Sequence, residues 1–498
     1  MKYFLGIDIG TFESKGVLVD GQGNIVASAA HPHKMRVPQA GWAEHDAEQD
    51  WWGDFKHLSK QVIADSKVDT CDIRAVGASA IGPCMLPVDK AGDPLMNGIL
   101  YGVDTRASAE IAELNALYGE DILLKETGNA LTSQSVGPKI GWLKNNRPDL
   151  YNKAHKFITS TTFIVHRLTG NYVIDHYSAG SWAPLYLPDR LAWDERFAST
   201  ITPLEKLAGI KWTTEIAGHV TPKAAAETGL AAGTPVTTGT IDAAAEAASV
   251  GVLDLGQMMI MYGSTIFIIL VVPKRVDDAR LWSSPWLFPG QFTSMAGLAT
   301  SGTLTHWFRE NFAREFADPK EAAIALAREA ATSPAGAKGL VMLPYFSGER
   351  TPIHDPNAKG VLFGLNLTHT RGDIYRAMLE GIALGTKHVV ETYAAAGIPP
   401  VHVEAVGGGT NNKVWLQATS DATGLAQHVR SKTVGASYGN SFLAALGVGD
   451  AMRSTILHWN QTDNVTAPIA GNRQIYDGTY ATFRALYERN KDLMATSR

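Results

Sequence analysis

Twice in this chain an apolar strand runs into a glycine turn bearing hydroxyl side chains and out into a second apolar strand. The first copy is YFLGIDIGTFESKGVLVD, residues 3 to 20, and the second is MMIMYGSTIFIILVV, 258 to 272. An internal echo of this kind predicts two related halves. Length agrees, since 498 residues exceed what one ordinary core accommodates. We place the boundary near residue 250, giving segments 1–250 and 251–498. Strand-like DIRAVGASA is followed by helix-like DTRASAEIAELNALYG, and a long amphipathic helix near 373 to 396 precedes the strand VHVEAV, so the class is α/β.

The apolar run at 258–272 falls short of the ~20 residues that span a bilayer, and Gly263-Ser264-Thr265 interrupts it, so two buried strands are expected. Few apolar residues precede Asp8, which does not suit a secretory signal. The two cysteines, Cys71 and Cys84, are too few for a disulfide framework, and a cytoplasmic location is expected. With 44 basic against 49 acidic residues and no long basic run, neither nucleic acid nor an anionic membrane is an expected partner.

No P-loop or dinucleotide-fold glycine motif occurs. Instead GIDIGTFESKG (6–16), YGSTIF (262–267) and VGGGTNN (406–412) each set glycine beside Ser, Thr or Asn after an apolar strand. Glycine lets backbone N–H groups approach a phosphate, and hydroxyls add donors, although each turn alone reads equally as a tight connection. Asp8 lies among Leu5, Ile7 and Ile9, where a carboxylate is costly unless paired. It suits a water-mediated magnesium contact, or a strand-end acceptor for the Gly10-Thr11 turn. Asp242, in VTTGTIDAAAEAAS, is either a helix cap or a proton acceptor. As a cap it should have Glu at 245, yet that residue is Ala245; Thr240 could cap in its place. An Asp with an ordinary pKa of about 4 would be ionised at neutral pH. A rival pattern, GASYG at 435–439, fits a hydrolase nucleophile elbow at Ser437, with Asp450 and His458 following in triad order.

Together these segments resemble the FGGY carbohydrate kinases of the sugar kinase, Hsp70 and actin superfamily. GWAEHDAEQDWW (41–52), SGERTP (347–352) and above all GVLFGLNLTHTRGDIYRAMLE (360–380) are similar to that family's patterns, with xylulose kinases nearest. The resemblance implies two ribonuclease H-like (actin-like ATPase) domains with an interdomain cleft, and ATP-dependent phosphorylation of a small sugar with Mg2+. It implies Asp242 as the catalytic base and Asp8 as the magnesium-associated aspartate. Thr11 and Lys15 correspond to the first phosphate segment and Gly263, Ser264 and Thr265 to the second. Gly302, Gly408, Gly409 and Asn412 correspond to nucleotide contacts, and Gly82, Pro83 and Asp104 to the sugar side. Here AIGPCM replaces a Met-His-Gly loop, and Ala243 replaces Asn after the base, which opens the alternatives of ribulose, glycerol or an erythritol-like polyol. Glu13 is an unexpected carboxylate in a phosphate segment. A homodimer is a further expectation, and a non-catalytic nucleotide switch of the Hsp70 or actin kind is the other reading.

Overall fold

The computed structural model describes residues 2–496. Its first sheet runs Ile25–Pro32, Glu13–Asp20, Tyr3–Ile9, Ile73–Ala80, Pro235–Thr237 and Ile216–His219, with Thr240–Ile241 also pairing on Ile73–Ala80. The second runs Trp282–Pro285, Phe292–Leu298, Ile266–Val272, Gln257–Tyr262, His402–Val406, Gln427–Arg430 and Thr462–Thr466. In both, a run of antiparallel strands, three in the first sheet and four in the second, leads to two parallel neighbours and an antiparallel edge. The sequence echo is therefore a topological one. The uncharged run at 258–272 forms the expected hairpin, Met258 opposite Leu270 and Tyr262 opposite Ile266.

Central strands are buried on both faces because helices cover both. Asp54–Ser66 packs on one side of the first sheet, and Asp242–Ser249 with Ala436–Gly447 on the other. Close approach there requires glycine: a Cβ on Gly6 would lie 2.0 Å from the Ser437 carbonyl, and one on Gly439 1.9 Å from that of Ala245. An apolar layer drawn from both halves, including Phe4, Val17, Met259, Ile269 and Phe442, joins the two sheets through these helices. Thus Ala436–Gly447, far along the chain, packs against the first sheet.

The 360–380 segment owes its pattern to architecture. Thr370 and Asp373 form a capping box at the start of the helix Arg371–Ala395. Glu380, buried in that helix, accepts from Arg376 (2.8 Å), the Tyr476 hydroxyl (2.9 Å) and the Gly336 N–H (3.0 Å). Among the described residues no helix is long and apolar enough to cross a membrane.

Candidate active site

Gly239, at φ 73°, turns the chain where a Cβ would lie 2.3 Å from the Ala78 carbonyl, and Thr240–Ile241 then joins the sheet. The helix begins at Asp242 with Ile241 in the cap position and no side-chain cap. Both capping expectations are therefore corrected. Thr240 is buried, its carbonyl taken by the Thr161 hydroxyl (2.8 Å), and the Asp242 carboxylate accepts from the adjacent Ala243 N–H (2.7 Å). Asp242 instead lines a cavity of about 330 Å³ between the halves. Thr11, Gly82 and Pro83 share its walls from the first half, and Phe267, Trp282 and Ser283 close it from the second.

Asp8, next to last in the first strand, lies directly opposite Lys15. The Ser79 hydroxyl donates to it (2.6 Å), and the Asn440 amide donates to that hydroxyl (2.7 Å). Asp8, Asp242 and Glu246 are partly solvent-reachable but closely surrounded by protein. Burial raises Asp8 to about 6. Burial, then the Asp8 charge, pushes Asp242 to about 8 and Glu246 to about 7. The expected ordinary Asp242 pKa is corrected accordingly: two further carboxyls crowd it in a dense site. Glu246 escaped the sequence reading, although its i,i+4 spacing from Asp242 puts both on one helix face. Lys15 is the cation that lowers Asp8 and Glu246, and Glu13, exposed, pairs with it at 3.1 Å.

The second-half residues gather at the ends of the parallel strands Gln257–Tyr262 and His402–Val406. The Gly302 N–H donates to the Gly263 carbonyl (3.0 Å), the Thr303 N–H to that of Ser264 (3.1 Å), and Gly263 N–H to Thr265 (3.1 Å). A Cβ on Gly302 would lie 2.4 Å from the Gly263 carbonyl, so the helix Gly302–Phe312 starts directly on this turn. Gly408 is open, while Gly409 packs on Tyr262 and Trp415 beside the same strand end. Asn412 caps the helix Lys413–Thr423, accepting from Val414 and Trp415 (both 3.2 Å).

Asp104 is not brought to the cavity. It is buried, held by Arg106 and by the Ala43 N–H (2.7 Å), so its carboxylate is committed to the fold. Its neighbour Tyr101 lines the cavity instead, with Gln134 and Asn129. The hydrolase reading is overturned: Ser437 is fully buried inside a helix, Asp450 pairs with Lys2 and Arg74, and His458 is exposed.

A model of the N-terminal domain of the FGGY family of carbohydrate kinases matches residues 3–251, and one of its C-terminal domain matches 258–448. The chain is 27% identical over 500 residues to a xylulose kinase of Bacillus subtilis, covering 99% of this chain and 98% of that one. It is 26% identical over 531 residues to a ribulokinase of Geobacillus thermodenitrificans, covering 98% and 94%. The crystal structure of xylulose kinase from Rhodospirillum rubrum superimposes with a TM-score of 0.92 at 29% identity, over 99% of this chain and 100% of that one. The repeated sheet order, the carboxylates in the cleft and both family models agree: this chain belongs to the FGGY family of carbohydrate kinases.

Proposed function

We propose that this chain transfers the γ-phosphate of ATP to a hydroxyl of a small sugar, a pentulose such as xylulose, in the cytoplasm. The observation that carries this reading is Asp242, uncapped, facing a cavity walled by both halves and bordered by the first glycine turn. At about 330 Å³ the cavity lies at the small end of ligand pockets. We assign residues 1–250 to the sugar side and 251–498 to the nucleotide side. The spans of the two family models, 3–251 and 258–448, support the boundary.

Phosphoryl transfer needs alignment and charge neutralisation more than covalent chemistry. Asp242, in its ionised form, takes the proton of the sugar hydroxyl as that oxygen bonds to the γ-phosphorus and the bond to the ADP oxygen breaks. The N–H groups of Thr11 and Phe12 in the first turn, and of Ser264 and Thr265 in the second, receive the phosphate oxygens. Gly302, Gly408, Gly409 and Asn412 shape the nucleotide side, and Gly82 and Pro83 the sugar side. The donor set suits magnesium: hard carboxylate oxygens converge, burial raises Asp8 although Lys15 lowers it, and the described residues form no closed metal cage, as for an ion carried mainly by phosphates. Asp8 would hold that ion through water, and the ion supplies charge neutralisation when bound.

Gly82-Pro83 and Ala243 supply no side-chain donors, so the preferred hydroxyl pattern belongs to this chain, and ribulose, other ketoses or a polyol are its competing substrates. A coupled ADP-release assay across pentuloses, hexuloses and polyols identifies it. With the best sugar, Asp242→Asn should lower kcat by ~10²–10⁴-fold, while ATP still protects against thermal unfolding. Turnover close to wild type in that variant would remove Asp242 from the base role, and no turnover on any sugar would leave a nucleotide-binding switch.

A further inference from the structure

Three consecutive carbonyls of the first turn are held from one side by the segment that follows the third strand. The His33 Nε2 bonds the Gly10 carbonyl (3.0 Å), the His45 Nε2 that of Thr11 (3.1 Å), and the His33 backbone N–H that of Phe12 (2.9 Å). In a trans peptide the carbonyl and N–H of one unit point opposite ways. Pinning Gly10 and Thr11 carbonyls toward the histidines therefore turns the N–H groups of Thr11 and Phe12 away from them, and Thr11 lines the cleft cavity.

The proton positions follow from the partners. The Trp51 indole N–H, which can only donate, bonds His45 Nδ1 (3.1 Å), so His45 is the neutral tautomer with its proton on Nε2. His33 Nδ1 faces Asp54 (2.7 Å) and its Nε2 faces a carbonyl. With the carboxylate ionised both partners only accept, which makes His33 a doubly protonated imidazolium, and its side chain is 5% exposed. The groups facing it are Asp54 from Asp54–Ser66, Asp50 from the preceding helix Ala47–Gly53, the Ser14 hydroxyl from the second strand, and the His45 ring at 4.9 Å. His31 shares Asp54 at 2.9 Å. Desolvation disfavours the His33 charge, but Asp54 and Asp50 outweigh it and the pKa is raised. His45 is lowered to about 4 by burial and by His33 beside it, in keeping with its neutral form.

We propose, on the reading of this turn as a phosphate cradle for ATP, that His33 and His45 are positioning residues for phosphoryl transfer. His45 orients the Thr11–Phe12 peptide as a neutral donor. His33 orients the Gly10–Thr11 peptide and places a fixed positive charge behind it. Neither histidine touches substrate.

The test is ATP kinetics across pH for wild type and for Ala and Gln variants at both positions. Gln keeps an N–H that reaches about as far as Nε2 but carries no charge. His33→Ala and His45→Ala should each lower kcat/KM for ATP by roughly 10–100-fold, the range found when the partners that orient metal ligands are removed, with the sugar KM little changed. His45→Gln should restore most of that loss. In wild type kcat/KM for ATP should fall on the alkaline side with a pKa above the ordinary histidine value, and His33→Gln should lack that limb. If the Ala variants fail to fold, the Gln pair decides alone. His33→Gln keeping the alkaline limb, or His45→Gln losing roughly 10-fold or more of the wild-type kcat/KM for ATP, would overturn the positioning roles and leave the kinase reading standing. Absence of ATP-dependent turnover by wild type would overturn both.

Discussion

In the unfolded chain Asp242 titrates at its ordinary 3.8, whereas burial and Asp8 carry it to about 8 in the fold. A folded pKa above the unfolded one favours the fold fully below about 4, and that contribution is lost as pH rises to about 8. Asp242→Asn is neutral throughout. The nucleotide-free variant should therefore melt at the wild-type temperature near pH 4 and several degrees higher at pH 8.5, a difference on the order of a few kcal/mol. Melting curves at the two pH values check this, and an equal shift at both would mean that ionisation is not its source. The residue itself was legible in the sequence, because Gly239 and the alanine run mark a strand-to-helix turn. Its pKa was not, since the desolvating neighbours and Asp8 come from strands distant in the chain.

At the scale of elements, the strands and long helices follow from hydrophobic period and caps, and Arg371–Ala395 starts at Thr370 with its box partner Asp373. In the helix Ala436–Gly447, GASYG satisfies a nucleophile-elbow pattern without serving as one. Its glycines serve contact instead, and Gly439→Ala would drive a Cβ to 1.9 Å from the Ala245 carbonyl, backbone against backbone. We expect about 1–3 kcal/mol of destabilisation, or more, from overpacking, read as a lower urea midpoint. Because this helix seats Asn440 against Ser79 and so against Asp8, kcat should fall as well. An unchanged midpoint would show that the two helices separate freely.

At the scale of the whole molecule, the cavity exists only because the halves meet. Asn129 bridges them: its amide donates to the Ser283 carbonyl (2.8 Å) and its carbonyl accepts the Ser283 N–H (3.0 Å). The Ser284 hydroxyl reaches the Tyr177 carbonyl (3.0 Å), and Arg275 reaches the Lys125 carbonyl (2.6 Å) and Asp189 (3.0 Å). Two bonds at ~0.5–1.5 kcal/mol each are lost in Asn129→Ala. The ligand-free variant should therefore be more open, with a larger radius of gyration by small-angle scattering that sugar plus nucleotide reverses, and with a higher sugar KM. A scattering profile identical to wild type would show that Asn129 does not hold the halves together.

By itself the sequence determined the repeat, the α/β class, the glycine turns and the places of Asp8 beside a glycine turn and Asp242 at a helix start, because these are properties of neighbours along the chain: hydrophobic period, glycine conformational freedom and short motifs. The tertiary structure alone decided that Asp104 is spent on Arg106, that Glu246 joins the two aspartates, and that two histidines stand behind the first turn. Burial, charge coupling and hydrogen-bond partnership belong to neighbours in space, and those are supplied by segments hundreds of residues apart or by loops whose path no local pattern specifies.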